Sequence, residues 1–217
     1  MKDYDKKEVE WRKEYLIDRY FSGGESVLDL GCGAGQYGSV LKKKFGEVYG
    51  VEKDIHLASI AVREKRYHAV RVDELKDKLP SVCGIQEFHS IWSSELLEHL
   101  PNLNIVLDMM AVSRKKLIIT MPNPRSPHFK EDKGHILKYS INGLKKFFDE
   151  MYYHDLEMSY HNGHYDSGIW EWKVRGLGIA NFRDKQLPPW VQWLTMKALW
   201  FFPELSPTVV VIGRRRA

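Results

Sequence analysis

Cysteine is scarce. The chain of 217 residues holds two, Cys32 and Cys83. One of them sits inside a glycine-rich loop, which argues against a disulfide framework and for a reducing compartment. Long apolar runs are missing as well, and none reaches the ~18 residues a membrane-spanning helix requires. The opening stretch MKDYDKKEVEWRKEY is charged throughout and lacks the apolar core of a secretory signal. Together these absences make the cytoplasm the expected compartment. There is no internal repeat and no low-complexity segment. A strong charge imbalance is also lacking. The net charge is +4, and Arg214, Arg215 and Arg216 supply much of it, so charge alone gives little ground for nucleic-acid binding.

What is present suits one self-contained fold. The length allows a full core, and 43% apolar against 29% charged residues excludes a disordered chain. Residues 4–20 have apolar positions at helical spacing, with Val9, Leu16, Ile17 and Tyr20 on one face. Short apolar runs then alternate with helical stretches. Strands are expected at Ser26–Leu30, Glu47–Glu52, His68–Val72, His89–Ser93 and Lys116–Thr120. Helices are expected at Gln36–Lys44, His56–Lys65, Leu103–Ser113 and Ile141–Met151. This alternation predicts an α/β fold, a mostly parallel sheet with helices on both faces. After residue 152 the pattern shifts to strands at His154–Tyr160, Ile169–Val174 and Thr208–Arg214, with the aromatic stretch PPWVQWLTMKALWFF between the last two.

The most informative stretch is VLDLGCGAGQYG, residues 27–38. A strand, a glycine loop and a helix in succession make a binding device. Glycine lets a ligand approach the backbone, and a helix N-terminus offers free N–H groups. The spacing is Gly31-x-Gly33-x-Gly35, and Gln36 breaks the G-x-G-x-x-G pattern of a dinucleotide loop. Asp29 at the end of the strand suits a cationic group such as an ammonium better than a pyrophosphate. Glu52, in VYGVEKD, would end the neighbouring strand, where an acid can accept both hydroxyls of a ribose. Asp73, in AVRVDEL, would end the third strand and could meet an adenine amino group, or could simply cap a loop. Acids at three adjacent strand ends describe a nucleoside with an amine-bearing tail.

With these in order, VLDLGCGAGQYG, VYGVEKD, IWSSELLEHLPN and KKLIITMPNP resemble successive motifs of the class I S-adenosylmethionine-dependent methyltransferases, of the type 11 and type 23 kind. The resemblance covers roughly residues 25–150. It implies a Rossmann-like fold with a seven-stranded sheet in a single domain over 1–217. Residues 1–22 would form an N-terminal helix, 23–152 the cofactor-binding core and 153–217 the last strands with an aromatic, substrate-side insertion. It implies S-adenosylmethionine as cofactor, held by Asp29, Gly31, Cys32, Gly33, Gly35, Glu52, Lys53, Asp73 and Ser94, with Cys32 and Gly33 contributing mainly backbone.

A second constellation follows the fourth strand in SSELLEHLPN. If Glu95–His99 is helical, Glu95, Glu98 and His99 lie at i, i+3 and i+4 on one face. This E-x-x-E-H spacing is similar to that of two methyltransferase groups, acting on hydroxyls of quinone precursors and on the 2′-hydroxyl at the 3′ end of small RNAs. There the side chains are implicated in holding a divalent cation, and the RNA group adds a later His, for which His135 is the candidate. The chemistry is coherent, because a hydroxyl acceptor reacts better once a base or a metal removes its proton. Two carboxylates and two imidazoles suit Mn²⁺, Fe²⁺ or Zn²⁺ better than Mg²⁺. Many small-molecule methyltransferases carry a similar stretch without metal, and helix capping also explains the first Glu. Glu95, Glu98, His99 and His135 are thus the expected chemical end, with a divalent metal as an open alternative.

Other features are weaker. His161, His164 and Asp166 read as a turn, His128 lies after the fifth strand, and His56, His68 and His89 suit structural or surface roles. The aromatic stretch around Trp190, Trp193 and Trp200 fits a packed helix, a lid over an apolar substrate or a peripheral membrane contact. The expected activity is O-methylation of a small molecule, a lipid precursor or a sugar. RNA 2′-O-methylation and a non-catalytic S-adenosylmethionine-binding protein are the alternatives. A nicotinamide-dependent oxidoreductase is disfavoured by Gln36 and Asp29.

Overall fold

A computed structural model describes residues 16–65, 67–75, 79, 84–122, 124, 134–136, 143–144, 146, 156–161 and 208–214. Seven strands are described: β1 (Gly24–Leu30), β2 (Phe45–Glu52), β3 (Ala69–Val72), β4 (Phe88–Ser94), β5 (Ser113–Pro122), β6 (Leu156–His161) and β7 (Thr208–Arg214). They form one sheet in the order β3-β2-β1-β4-β5-β7-β6. The first five in that order run parallel, while β7 is antiparallel to both β5 and β6. The connecting helices are α1 (Gly38–Lys44), α2 (Ile55–Lys65) and α3 (Asn104–Val112). The sheet is entered at β1, and the chain steps outward to β2 and β3, then returns to place β4 on the other side of β1. The point between β1 and β4 is therefore a topological switch, where open α/β sheets form their crevice outside the carboxyl ends of the strands.

The near-continuous apolar runs of β1, β2, β4 and β5 are buried on both faces along much of their length, whereas β3, at the sheet's edge, is half-buried to exposed. In β1, Leu28 and Leu30 join one core layer with Val51, Ile91 and Met109. Val27 joins the other with Leu41, Val48, Trp92 and Ile118. The period of two then puts Asp29 on the same face as Val27, in a place an apolar residue would normally take. Trp92, fully buried, anchors this second layer, with Tyr37 and Phe21 meeting its ring edge-on at 5.1 and 6.3 Å between centroids.

Boundaries differ from the sequence reading in instructive places. The helix expected from Gln36 begins at Gly38, because residues 31–37 are spent on turns. Residues Glu95–His99 are not a helix. A short 3₁₀ turn covers only Leu97–His99, and Glu95 precedes it with φ 53°. Of the N-terminal helix expected over 4–20, the described part is Leu16 and Ile17, both fully buried, and a helical turn at Asp18–Tyr20. The strand expected at Ile169–Val174, the aromatic stretch 188–203, Cys83, His128, His164 and Asp166 lie outside the described residues, as does most of the helix expected at Ile141–Met151. Among the described residues no helix is long and apolar enough to cross a membrane.

Candidate functional site

The glycine loop is folded by its own amides. Gly31 N–H and Cys32 N–H both donate to the Val51 carbonyl, at 2.9 and 3.1 Å, which pulls the loop over the end of β2. Gly35 N–H then donates to the Cys32 carbonyl at 2.8 Å. All three alternating glycines take positive φ, 71°, 53° and 80°, a region that costs a side-chain-bearing residue steric strain. Their surroundings differ. A Cβ on Gly31 would press on Leu96 at 3.1 Å and one on Gly35 on Lys65 at 2.9 Å, whereas one on Gly33 would meet nothing within 4 Å. Gly31 and Gly35 are small for packing. Gly33 faces open space.

Glu52 ends β2 beside that space. One carboxylate oxygen accepts the Gly33 N–H at 2.9 Å and the other accepts the Asp54 N–H at 3.0 Å. The carboxylate is thus aimed by backbone on both sides. Asp54 in turn accepts the His56 and Leu57 amides at the start of α2, and those bonds hold its carboxyl below the usual range. Asp73 follows β3, with its N–H on the Glu52 carbonyl and its carboxylate 3.4 Å from Arg71. Lys53 is exposed next to Glu52.

Asp29 does not open to solvent. It is 1% exposed, and one oxygen accepts the Tyr67 hydroxyl at 2.5 Å. Burial pushes its carboxyl up to about 7, the Tyr67 bond opposes that rise, and the nearby Glu52 charge adds to it. Burial also pushes the Cys32 thiol up, with Asp29 and Glu52 adding to the effect, so Cys32 is an inert packing residue rather than a nucleophile. Tyr67 is the residue that sequence reasoning missed. Its position, in KRYHAV before β3, carries no motif, and only the glycines that surround it in space reveal its place.

At the end of β4, the Ser94 hydroxyl bonds Tyr37 at 3.2 Å and Thr120 at 2.9 Å, and Thr120 reaches Glu95 at 3.4 Å. Glu95, left-handed, sits with its N–H on the Thr120 carbonyl. The turn after it brings together three of the four residues expected at the chemical end. Glu98 is 4% exposed. His99 presents Nε2 3.9 Å from Glu98 Oε1, and its ring centroid is 4.9 Å from that of His135. Ile136 N–H donates to the Glu98 carbonyl at 2.8 Å, which ties the later segment to this turn. Ligand-capable atoms of Glu98, His99 and His135 all lie within 4.8 Å of one another. Glu95 is not one of this group, and the helix that would have aligned it does not form. His99 Nδ1 is 2.8 Å from the Gly134 carbonyl. A carbonyl only accepts, so Nδ1 is the donor in this bond, and in the neutral ring Nε2 is then the nitrogen with the lone pair.

A family profile described as a methyltransferase domain matches residues 7–180. Among curated proteins, the ribosomal protein L11 methyltransferase of Campylobacter hominis is 32% identical over 60 residues, which is 28% of this chain and 20% of that protein. The match thus spans about one fifth of the curated relative's length. Among solved structures, a SAM-dependent methyltransferase from Archaeoglobus fulgidus superposes with TM-score 0.60 at 17% identity, covering 96% of this chain and 94% of the other. The methyltransferase in a complex with the Haloferax volcanii Trm112 methyltransferase activator gives 0.64 at 14%, covering 100% and 99%. The phosphoethanolamine N-methyltransferase 2 of Haemonchus contortus, in complex with S-adenosyl-L-methionine, gives 0.58 at 14%, covering 95% and 53%. At these identities the structural likeness is one of fold.

Proposed function

The chain belongs to the methyltransferase-domain family, and from that premise we propose that it binds S-adenosylmethionine at the 31–35 loop and methylates a hydroxyl of a small molecule, a lipid precursor or a sugar. The residues present fit this cofactor. Gly33 leaves a cradle that a side chain would fill, and Glu52 is aimed at the edge of that cradle by two backbone amides. In this reading Glu52 receives the ribose hydroxyls, Asp73 stands towards the adenine, and the buried Asp29 supplies negative potential for the cationic tail. The cofactor, when bound, provides an electrophilic methyl group on a sulfonium.

The observation that carries hydroxyl methylation is the bond between His99 Nδ1 and the Gly134 carbonyl. The Gly134 carbonyl makes Nδ1 the donor, so in the neutral ring Nε2 is the nitrogen that would take a proton from an acceptor hydroxyl. Glu98, buried and 3.9 Å away, would then stabilise the imidazolium that results. Leu96 packs against Gly31, which keeps this base next to the cofactor loop.

A second reading, RNA 2′-O-methylation with a divalent cation, is favoured by the grouping of Glu98, His99 and His135. These residues would hold the ion, and its contribution would be to lower the pKa of the acceptor hydroxyl.

Calorimetric titration of S-adenosylhomocysteine, with EDTA and then with Mn²⁺, tests both. Micromolar binding, roughly −8 kcal/mol, is expected, and no binding under any condition overturns the cofactor assignment. Glu98→Ala and His99→Ala should abolish turnover while leaving that binding in place. Retained turnover in both would leave the cluster without a chemical role.

A further inference from the structure

Tyr67 sits in a socket made of glycines. A Cβ on Gly38 of α1 would collide with its ring, and one on Gly50 of β2 or Gly35 of the loop would approach it to 3.2 and 3.0 Å. Three separate elements have given up side chains to admit one aromatic ring. The ring is 4% exposed, and its hydroxyl reaches a fourth element, β1, by donating to Asp29 at 2.5 Å. A buried phenol in such a socket has one available ring orientation, so the position of its hydroxyl oxygen is set by packing and the O–H turns to the carboxylate it meets.

We propose that Tyr67 is a positioning residue for cofactor capture, fixing the Asp29 carboxyl beneath the glycine loop and favouring its charged form, so that it attracts the cofactor's cationic tail. This rests on the S-adenosylmethionine reading above. The titratable groups facing Asp29 are Tyr67, Glu52 from β2 and Cys32 from the loop. Tyr67 is the one that favours the charged carboxylate. Its phenol is pushed well above its ordinary range by burial and by Asp29, so it stays a donor throughout the neutral range. Glu52, by contrast, is a like charge that opposes ionisation of Asp29. With the Asp29 carboxyl at about 7, a cation arriving at the loop draws the group to its anionic form and expels a proton where the free protein still holds one.

The test is titration of S-adenosylhomocysteine, which carries the amino group, into the wild type and Tyr67→Phe at several values between about pH 6 and about pH 8.5. Wild-type affinity is expected to rise with pH and level off as Asp29 ionises. Removing the phenol removes the influence that lowers the Asp29 pKa, so the rise should move to higher pH in Tyr67→Phe. The two proteins should then differ most near neutrality and converge at the alkaline end. A loss by the same factor at every pH would show that Tyr67 only supports the fold, and would overturn the proposal. Should Tyr67→Phe not fold, Asp29→Asn serves, and its affinity should be weak and independent of pH. A pH slope that survives in Asp29→Asn overturns the proposal. A wild type that binds with a flat pH profile sinks the Tyr67 proposal alone. A folded wild type that binds at no pH sinks the cofactor reading itself.

Discussion

Alanine at Gly33 and alanine at Gly50 should fail in opposite ways. Gly33 has φ 53°, and a Cβ there meets nothing within 4 Å. Its only stability cost is the left-handed backbone, about 1–2 kcal/mol for an L-residue. For a chain of this size that is a fall of about 2–8 °C in Tm. The new methyl group, however, stands in the space proposed for the cofactor, beside the amide that Glu52 holds. S-adenosylhomocysteine affinity should drop at least ~10-fold, equivalent to about 1.4 kcal/mol. Gly50 lies inside β2, paired with Asp29 of β1, and a Cβ there would come 2.7 Å from the Cys32 sulfur and 3.2 Å from the Tyr67 ring. Overpacking of that kind costs about 1–3 kcal/mol, and neither neighbour can swing away, because both are buried. Gly50→Ala should therefore melt at lower temperature, and it should lose affinity only so far as it unfolds the protein or displaces Tyr67 from its socket. Scanning calorimetry and ligand titration on the two purified variants separate the cases. If Gly33→Ala binds the ligand as the wild type does, the open space above Gly33 is not the cofactor site and the reasoning is wrong.

Three further outcomes are expected. Glu95→Gly should relieve a left-handed backbone worth about 1 kcal/mol and raise Tm by about 2–4 °C. A lower Tm would mean that the bond between Glu95 and Thr120 outweighs the strain. Asp29→Asn should stabilise the protein selectively at neutral and higher pH. The folded carboxyl is raised from an ordinary 3.8 to about 7, so the wild type is favoured by the protonated group below about pH 4 and loses that advantage as pH rises through about 7. The gap in melting temperature between variant and wild type should widen over that window, by up to ~4 kcal/mol in stability, and a constant gap would refute the buried-charge account. His135→Ala should weaken Mn²⁺ binding, read by titration of the metal alone, if Glu98, His99 and His135 hold a cation. Unchanged binding in the variant would place the metal elsewhere, and no binding in the wild type would leave His99 as a metal-free base.

The strands were legible because each is an apolar run of the right length bounded by turn residues. Ser26–Leu30 and Lys116–Thr120, read from that pattern alone, fall inside β1 and β5. Glu52 was legible for the same reason, as the acid that ends such a run. The turn after β4 was not. Its E-x-x-E-H spacing fits a helix, but Glu95 takes φ 53° and the helical geometry starts only at Leu97. Local spacing could not anticipate that, because the Thr120 carbonyl, on the neighbouring strand, captures the Glu95 amide. Tyr67 was invisible for a related cause. Its partners Gly35, Gly38, Gly50 and Asp29 come from four elements, and nothing in KRYHAV announces a hydrogen bond to a residue 38 positions earlier.

Apart from the positive-φ glycines Gly23 and Gly84, which precede β1 and β4, the departures from local rules among the described residues gather in one region. Left-handed residues at 31, 33, 35 and 95, the buried acids Asp29 and Glu98, and the aromatic socket around Tyr67 all belong to the carboxyl ends of β1, β2 and β4 or to the segments that leave them. Elsewhere the sheet obeys its apolar pattern, and the opposite ends of the same strands carry no buried acid among the described residues. Strain and buried charge cost stability, so a fold tolerates them where something other than stability is being served. That concentration at the topological switch is an argument for a binding site which owes nothing to motif matching. It also explains why the glycine loop and the His99 turn meet there. The crevice between β1 and β4 is where the sheet leaves room, Leu96 lies against Gly31, and the proposed cofactor loop and the proposed base are thereby brought next to one another.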